Sequence, residues 1–436
     1  MVMPEDQRCF AADVVRQLRT AGFEAYWAGG CVRDQLLRRT PKDYDVATSA
    51  TPEQVRTLFG RRRTLAIGAA FGVISVIGPK PAGMVEVTTF RRDAAYSDGR
   101  HPDSITFSSA EEDASRRDFT INGLFYDPVQ QRVIDFVGGQ KDLAERRLRA
   151  IGSARDRFAE DKLRMLRAVR FAAALDFTLD DEARAAIAEM APEIHAVSPE
   201  RIAMEMRRLL ADFTRAEGIR LLLETELARE VLPEIASNGD CPNFRLSENG
   251  TVPFGSAKED ALGLLSRLKS DAGFLVALAA VLLPFVDAVA ATEVCRRWRL
   301  SNKEIERVGW LVEHHAALDA VATMRWSKLQ PLLVSEGIDD LLTIVEAASP
   351  AGLEAAAHCR RLLSQPPETL DPPPLLTGDD LLASRIPSGP QYKMLLDRIR
   401  TAQLDGEVRT KEEAMVMVGR GEGREARRER RGEREK

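Results

Sequence analysis

The sequence predicts an α+β protein in which helices and strands are mixed in an N-terminal region and helices alone form the longer remainder. The first ~140 residues contain short segments with the β-branched and aromatic content of strands, separated by helical patterns. From Leu148 onward those segments fade, and Ala, Leu, Glu and Arg recur at helical spacing. Two stretches rich in turn-forming residues interrupt the helical region, which therefore divides into several units.

The N-terminal elements follow one another at short range. An amphipathic helix is predicted over Gln7–Thr20, a short strand over Phe23–Ala28, a turn at Gly29-Gly30 and a helix over Cys31–Arg38. The further predicted strands share a high content of β-branched and aromatic residues; they are Tyr44–Ala47, Phe71–Ile77, Met84–Phe90 and Val133–Phe136.

The helical remainder is predicted to break at Ser237–Ser256 and at Ser364–Pro374, where the prolines make a stiff linker. A last helical unit follows, and Thr377 or Asp379 can cap its first helix. Arg420–Lys436 is mostly Arg, Glu and Gly with almost no apolar side chain. Because such a segment cannot bury a core, we expect it to be disordered.

The composition is that of a globular protein of several domains, with 436 residues, 44% hydrophobic and 30% charged. No apolar run reaches the ~20 residues of a membrane span, and a polar, acidic N-terminus argues against a secretory signal. Five scattered cysteines without C-x-x-C spacing argue against a zinc site or a disulfide framework. We therefore expect a cytoplasmic protein with no membrane partner and no zinc.

The net charge of −5 conceals a local basic block. Between Lys141 and Arg170 there are ten Lys and Arg residues against five Asp and Glu. An acidic total charge therefore does not exclude a nucleic-acid partner.

Two short segments near the N-terminus predict a site for a triphosphate and metal ions. Gly29 and Gly30 precede a helix that carries Arg33, and free N–H groups at such a turn bind anions. Asp43 and Asp45 stand two apart at a strand, so both carboxylates point to one face and can hold a pair of Mg²⁺ ions. Two aspartates can also simply solvate a turn, but their place after the diglycine turn favours phosphoryl or nucleotidyl transfer.

Glu86 is a carboxylate within an apolar strand. Burying it without a partner would be costly, so it is a candidate third metal ligand. An edge-strand glutamate that faces water explains the pattern equally well.

The segment Arg116–Asn122 reads Arg-Arg-Asp-Phe-Thr-Ile-Asn. An Arg pair beside an Asp is often only a surface ion pair. Here Phe119 and Ile121 alternate with polar residues and anchor the segment to a core, which leaves Arg117 and Asn122 to orient phosphate or ribose oxygens.

The segment Glu160–Phe171 is predicted to be one helix with a charged face. Such faces are usually solvated and internally paired. In this segment Asp161, Arg164, Arg167 and Arg170 recur every three residues. Three arginines against one aspartate leave positive charge over, which favours a phosphate-bearing partner.

Asp161 and Arg164 also suggest how a base is selected. Cytosine and adenine both present an amino donor next to a ring-nitrogen acceptor, which a carboxylate and a guanidinium match. Uracil and guanine reverse that order and leave both protein groups unpaired. This pair of side chains can therefore select C and A without a template.

Other site types find less support. The sequence has no G-x-x-x-x-G-K-[ST] segment, which argues against a P-loop. It also has no His-Asp dipeptide, which argues against a metal-dependent phosphohydrolase of the His-Asp type. The polar loop from Arg91 to Pro102 is either solvated or an active-site lid, and the sequence favours neither.

Together these motifs resemble those of the bacterial-type (class II) tRNA nucleotidyltransferases, or CCA-adding enzymes, and the related bacterial poly(A) polymerases. The resemblance covers most of the chain. It rests on five motifs, which are Gly29–Asp34 with Lys42–Thr48, Arg116–Asn122, Glu160–Phe171, Ser198–Leu210 and Leu376–Leu382 with Gly389-Pro390.

The resemblance implies an N-terminal polymerase-beta-like nucleotidyltransferase head with a mixed β-sheet, followed by all-α neck, body and tail domains. The corresponding boundaries are 1–147 for the catalytic head, 148–215 for the neck, 216–365 for the body, 366–419 for the tRNA-binding tail and 420–436 for a disordered tail.

The resemblance also implies template-independent addition of C, C and A to the 3′ end of tRNA, with CTP and ATP as substrates and Mg²⁺ as cofactor. The catalytic residues would be Asp43, Asp45 and Glu86, the first two as metal ligands. The nucleotide-binding residues would be Gly29, Gly30, Arg33, Arg117, Asp118, Asn122, Asp161, Arg164, Arg167 and Arg170.

Two rival functions stay open on the sequence alone. One is a poly(A) polymerase or a tRNA nucleotidyltransferase that adds only A or only C. The other is a non-catalytic RNA-binding protein on the same scaffold. The Arg91–Pro102 loop resembles the flexible element that relatives adding only the two cytidines lack, and this resemblance favours addition of the terminal A. The Arg-rich tail keeps polyadenylation open. The oligomeric state does not follow from the sequence.

Overall fold

The computed structural model describes residues 4–93, 105–236, 254–384, 389 and 391–418. The chain divides into two compact units. The first comprises Met1–Ser266 with Pro284–Val286 and Glu293–Ser301, and the second comprises Arg267–Leu283, Asp287–Thr292 and Asn302–Lys436. The predicted disordered tail, most of the predicted break at Ser237–Ser256 and most of the Arg91–Pro102 loop lie outside the described residues.

The first unit is built on a seven-stranded sheet with the order β3-β4-β5-β2-β1-β8-β9. Strands β2 and β5 are parallel, and the other neighbours in this sheet are antiparallel. The strands are β1 (Ala25–Ala28), β2 (Asp45–Thr48), β3 (Thr64–Gly68), β4 (Val73–Ile77), β5 (Met84–Thr89), β8 (Phe125–Asp127) and β9 (Arg132–Ile134), and a separate hairpin pairs β6 (Arg91–Asp93) with β7 (Ile105–Phe107).

One face of this sheet is covered by helices α1 (Pro4–Thr20) and α3 (Pro52–Phe59), which contact the inner strands. Along β5, Val85 and Val87 are buried whereas Glu86 is exposed. This alternation with a period of two leaves the opposite face open around Glu86. On that opposite face, Ala110 and Ala114 of helix α4 (Ala110–Ser115) pack against Ala28, Ala47 and Phe125, so the face is covered at one end and exposed at Glu86.

The other helices of the first unit connect the strands or follow them. They are α2 (Gly30–Leu36), α4 (Ala110–Ser115), α5 (Gly139–Ala144), α6 (Ala154–Glu160), α7 (Leu163–Leu175), α8 (Asp181–Met190), α9 (Pro199–Leu210), α10 (Arg215–Glu224), α11 (Leu227–Val231), α12 (Pro233–Ala236) and α13 (Phe254–Arg267). Beyond Leu148 the described strand pairing is that of β10 (Arg147–Leu148) with β11 (Thr178–Leu179).

The regular elements among the described residues of the second unit are all helices. Its helices α14 to α22 are Phe274–Leu282, Ala288–Arg297 (shared with the first unit), Asn302–His314, Trp326–Leu333, Ile338–Ala348, Pro350–Leu363, Pro367–Leu370, Gly378–Ala383 and Gln391–Leu404, and residues 411–418 are also helical. Thr377 is the N-cap of α21, as predicted, and its amide donates to Asp380 over 2.9 Å. Around it Leu376, Leu381 and Ile399 form a small core of their own.

The predicted α+β class is confirmed, with a mixed sheet followed by helices. The helices and strands predicted between Gln7 and Ile77 are present within a few residues of their expected ends. Strands β3 and β8 of the main sheet escaped prediction, as did the short strands β6, β7, β10 and β11. Strand β3 follows three consecutive arginines, and β8 is three residues long, so neither shows a run of alternating apolar residues.

Candidate active site

The turn between β1 and α2 brings backbone close to two arginines. Gly29 has φ of 72°, a left-handed value that favours glycine, and its amide donates to the Leu124 carbonyl over 3.0 Å. A Cβ atom at Gly29 would lie 2.8 Å from Nη1 of Arg117. Arg33 projects from the first turn of the helix that begins at Gly30. The diglycine predicted as a phosphate cradle therefore adjoins Arg33 and Arg117.

Asp45 opens strand β2 and lies directly opposite Glu86 in the parallel pairing with β5. Burial, and then repulsion by Asp43 and Glu86, raise the pKa of Asp45 to about 7, against the opposing effect of Arg117. Three carboxylates are therefore close enough to repel one another on the open face of the sheet. Such a site favours a divalent cation, because its charge would relieve that repulsion.

Two details of the sequence prediction for these carboxylates are wrong. Asp43 precedes β2 rather than lying within it. Glu86 is exposed and belongs to an inner strand, so it is neither a buried ligand nor an edge-strand residue. Both follow from the sheet order, which places β5 between β2 and β4.

The Arg116–Asn122 segment is held by a carboxylate that the sequence reasoning missed. Asp113 has no exposed side-chain surface and accepts ion pairs from Arg116 at 2.7 Å and Arg117 at 3.0 Å. Burial alone would raise the pKa of Asp113, but Arg117 and Arg116 outweigh it and lower that pKa. The sequence did contain a signal for these ion pairs, because Asp113 stands three and four residues before the two arginines, which is the spacing of neighbouring side chains on a helix. Phe119 and Ile121 are fully buried, as predicted.

A chain of polar contacts links the head to helix α7. Arg33 donates to Oδ1 of Asn122 over 2.8 Å, and Nδ2 of Asn122 donates to Asp118 over 3.1 Å. Asp118 also accepts two bonds from Arg167, at 2.6 and 3.1 Å. Burial by itself would raise the pKa of Asp118, but the Arg167 ion pair and the Asn122 bond lower it to about 2. Four predicted site residues thus form one connected network.

The predicted single helix over Glu160–Phe171 is wrong at its beginning. Helix α6 ends at Glu160 and α7 starts at Leu163, while Asp161 between them has the extended φ of −145°. The Asp161 carboxylate accepts from the Leu163 amide at 3.1 Å and from Arg201 at 2.9 Å. Asp161 therefore caps the start of α7 from a bend between two helices, instead of sharing a helical face with the arginines.

The expected excess of positive charge on α7 is reduced by ion pairs but not removed. Its carboxylate partners are shared, since Glu160 also pairs with Arg157 and Glu205 also pairs with Arg208. Arg164 pairs with Glu160, and Arg170 pairs with Glu205 at 2.6 Å. Arg167 pairs with Asp118 and lies 3.8 Å from Glu205. Glu205 is buried on α9, far along the chain, so counting charges within one segment could not find it.

Phe171 on α7 packs against three guanidinium groups. The central carbons of Arg33, Arg167 and Arg170 lie 5.3, 5.2 and 4.1 Å from the centre of its ring. The ring of Phe119 meets it edge-on at 5.9 Å. Cation–π contacts of this kind hold arginines in place without neutralising them. Phe171 therefore contributes to the arrangement of the site although sequence reasoning assigned it no role.

Within the described residues, no group of three or more His, Cys, Asp or Glu side chains forms a ready-made metal cage. Mg²⁺ seldom uses such a cage, since it is usually held by one or two carboxylates together with substrate phosphates and water. The oxygen donors of Asp43, Asp45 and Glu86 fit that mode of binding. In the same part of the chain, no helix is both long and apolar enough to span a bilayer.

Comparison with known proteins places this site in a family. A family model described as the poly A polymerase head domain matches residues 25–149, and one described as the probable RNA and SrmB-binding site of polymerase A matches residues 176–238. The CCA-adding enzyme of Geobacillus kaustophilus is 36% identical over 411 residues, covering 92% of this chain and 94% of the relative. That of Lactobacillus johnsonii is 32% identical and covers 93% and 95%.

A solved structure agrees with these relatives. The crystal structure of the Bacillus stearothermophilus CCA-adding enzyme in complex with CTP matches with a TM-score of 0.73 and 30% identity, covering 98% of this chain and 100% of that one. Since relatives more than 30% identical match along nearly their whole length, the chain belongs to the family of CCA-adding enzymes, the tRNA nucleotidyltransferases.

Proposed function

We propose that this nucleotidyltransferase adds C, C and A, without a template, to the 3′ end of tRNA, consuming CTP and ATP and releasing pyrophosphate. The observation that carries the proposal is the position of Asp43, Asp45 and Glu86 beside the Gly29-Gly30 turn. Carboxylates next to a triphosphate cradle are what nucleotidyl transfer requires.

We assign the phosphate end of the nucleotide to the diglycine turn and two arginines. The backbone at Gly29 and Gly30 can approach a phosphate closely, and Arg33 and Arg117 supply guanidinium groups nearby. Arg33 is fixed by Asn122, so little side-chain freedom is lost when a triphosphate binds. These residues therefore orient the α-phosphorus with respect to the carboxylates.

Nucleotidyltransferases of this family use divalent metal ions, and we propose Mg²⁺ here. Asp43 and Asp45 would hold the ions and Glu86 would be the third carboxylate. Bound Mg²⁺ would lower the pKa of the attacking 3′ hydroxyl and neutralise charge on the leaving pyrophosphate. Burial and then repulsion by Asp43 and Glu86 raise the pKa of Asp45, and a bound cation would favour its ionised form against both effects.

We assign base selection to Asp161 and Arg164. Both are held rather than free: Asp161 accepts from Arg201, and Arg164 donates to Glu160 and to the Arg157 carbonyl. A reader held in place discriminates better, because a wrong base cannot draw it into a new pairing without breaking those bonds. Arg167 and Arg170 support the pair from the next turns of α7.

The test is incorporation into tRNA that ends at the discriminator base, with CTP and ATP supplied separately and together. CTP alone should give two added cytidines, and both nucleotides should give C, C and A. Tails of A without CTP would instead support the rival poly(A) polymerase, which the match to a poly A polymerase head keeps in view. Unchanged incorporation by Asp43→Ala and Asp45→Ala would overturn the metal assignment and favour a different catalytic centre.

We further propose that the reaction takes place in the cytoplasm. The four described cysteines, Cys9, Cys31, Cys295 and Cys359, form no disulfide bond with one another. That agrees with a reducing compartment, in which the tRNA substrate and both nucleotides would be available.

A further inference from the structure

Arg157 on helix α6 contacts three separate segments of the first unit with one guanidinium group. It donates to the carbonyls of Ser115 at 3.0 Å, Arg116 at 3.3 Å and Ile151 at 3.2 Å, and to the Glu160 carboxylate at 3.1 Å. Its side chain is only 16% exposed. Because the N–H groups of a guanidinium form a rigid planar fork, these acceptors hold Arg157 in one orientation.

Two of these bonds connect Arg157 to the phosphate end of the site. Ser115 is the last residue of α4 and Arg116 is its C-cap. Carbonyls at a helix C-terminus lack helical partners, and a basic side chain satisfies them at the negative end of the helix dipole. The next residue is Arg117, to which we assign the triphosphate. Arg157 therefore fixes the backbone from which Arg117 projects.

The carboxylate bond connects Arg157 to the proposed base reader. Nη1 of Arg157 and Nη1 of Arg164 donate to the same oxygen, Oε2 of Glu160. Nη1 of Arg164 also donates to the main-chain carbonyl of Arg157 over 3.0 Å. A shift of Arg157 would therefore move two acceptors of the Arg164 guanidinium at once.

This double connection matters because a nucleotide has a fixed span between its base and its phosphates. A reader can test the base only if it is held at that span from the phosphate site. Misplacing a reacting or orienting group by about 1 Å can lower a rate by about a hundredfold. Arg157 joins the segment of Arg117 to that of Arg164, so it sets the span between them.

We infer that Arg157 is a positioning residue for base selection, which acts through Glu160 to hold Arg164 at a fixed distance from the phosphate site. It touches neither the base nor the phosphates. This rests on the proposed function and adds a residue that determines its specificity. Lysine cannot replace Arg157, because an ammonium is a compact donor that cannot serve acceptors on several sides at once.

Nucleotide competition with Arg157→Lys tests the inference. The primers are tRNA ending at the discriminator base, for CTP against UTP, and tRNA ending in two cytidines, for ATP against GTP. Both preferences should fall about five- to twentyfold, while the KM for tRNA changes by less than about twofold. Unchanged preferences would overturn the inference.

Arg19→Lys is the matched control. Arg19 likewise donates to a backbone carbonyl, that of Ala25 at 3.2 Å, and pairs with the buried Asp127 at 2.8 Å. It lies on α1 and contacts no residue assigned to the nucleotide, so its substitution should lower the Tm but leave both preferences unchanged. An equal loss of preference in the two variants would show a general effect of destabilisation and contradict the positioning role.

A double-mutant cycle with Glu160→Gln tests the route. Glu160→Gln alone should also lower both preferences, and unchanged preferences in that variant would overturn the inference even if Arg157→Lys proved unstable. Since both substitutions act on Arg164, their combined effect should be smaller than the product of the separate effects. Independent effects would show that Arg157 does not act through Glu160. If the unsubstituted protein adds no nucleotide to tRNA, the proposed function fails, whereas selective addition with unchanged preferences in the variants refutes only the positioning role.

Discussion

Replacing Asp118 by asparagine should destabilise the first unit by about 2–3 kcal/mol at pH 7, and the structure sets this magnitude. The pKa of Asp118 is lowered to about 2 from an ordinary 3.8, which corresponds to about 2 kcal/mol of stabilisation of the folded protein. The substitution also leaves the Arg167 guanidinium with its more distant partner Glu205 at 3.8 Å. Loss of one member of a buried pair commonly costs about 3–5 kcal/mol, and the isosteric amide retains part of the hydrogen bonding.

Urea denaturation followed by tryptophan fluorescence measures this difference. Asp176→Asn is the matched control, because Asp176 pairs with Arg146 at 3.1 Å but both side chains are largely exposed. Such an exposed pair contributes about 0–1 kcal/mol, so the control should change little. Equal losses in the two variants, or a loss below ~1 kcal/mol for Asp118→Asn, would show that burial does not strengthen the Asp118–Arg167 pair in the way argued.

The dependence on pH gives a second check on the same pair. Because the pKa of Asp118 is lower in the folded than in the unfolded chain, its contribution is present above the ordinary pKa of 3.8 and is lost as the pH falls towards 2. The difference between the unsubstituted protein and Asp118→Asn should therefore be constant from pH 5 to 8 and shrink between about pH 4 and 2. A difference that grew as the pH fell would contradict the assignment.

Three further predictions concern the active site. Gly29→Ala should raise the KM for CTP and ATP at least about tenfold in steady-state assays, because the φ of Gly29 is 72° and the new Cβ would lie 2.8 Å from Arg117. Gly22→Ala is the control, since Gly22 also has a positive φ of 89° but has open space around it, and this variant should leave both KM values unchanged. Asp45→Ala should reduce single-turnover incorporation by about a thousandfold or more while tRNA still binds in a filter assay, and parallel loss of binding would point to misfolding instead. Asp161→Ala should lower CTP and ATP incorporation more than tenfold and reduce the preference over UTP and GTP, measured in competition, and an unchanged preference would remove Asp161 from base selection.

Local sequence was enough to predict the glycine turn and the aspartates to which we assign the phosphate and the metal ions. Gly29 has a left-handed backbone conformation that favours glycine, and Asp45 is recognisable because it begins a short strand pattern. Both features are set by residues a few positions apart, which is the range over which turn and strand preferences act. For the same reason the helix near the N-terminus and the caps of the C-terminal unit were predictable.

Contacts between distant segments were not predictable. Asp118 meets Arg167, and Arg170 meets Glu205 on another helix, so part of the positive charge on α7 is paired in the fold. Asp161 lies between helices α6 and α7, and its carboxylate accepts from Arg201, 40 residues away. Such pairs produce no periodic pattern in the sequence, because tertiary packing and not sequence spacing brings the two side chains together.

The sequence by itself therefore determined the α+β class, the motif residues and the chemistry they are suited to. Only the tertiary structure decided how they are joined: which carboxylate neutralises which arginine, and that Asp45, Glu86, Ser75 and Leu65 share one row. The physical reason is that the functional groups of a residue are known from its type alone, whereas strand order and register depend on the packing of the whole sheet. That register places Asp45 beside Glu86 on neighbouring strands.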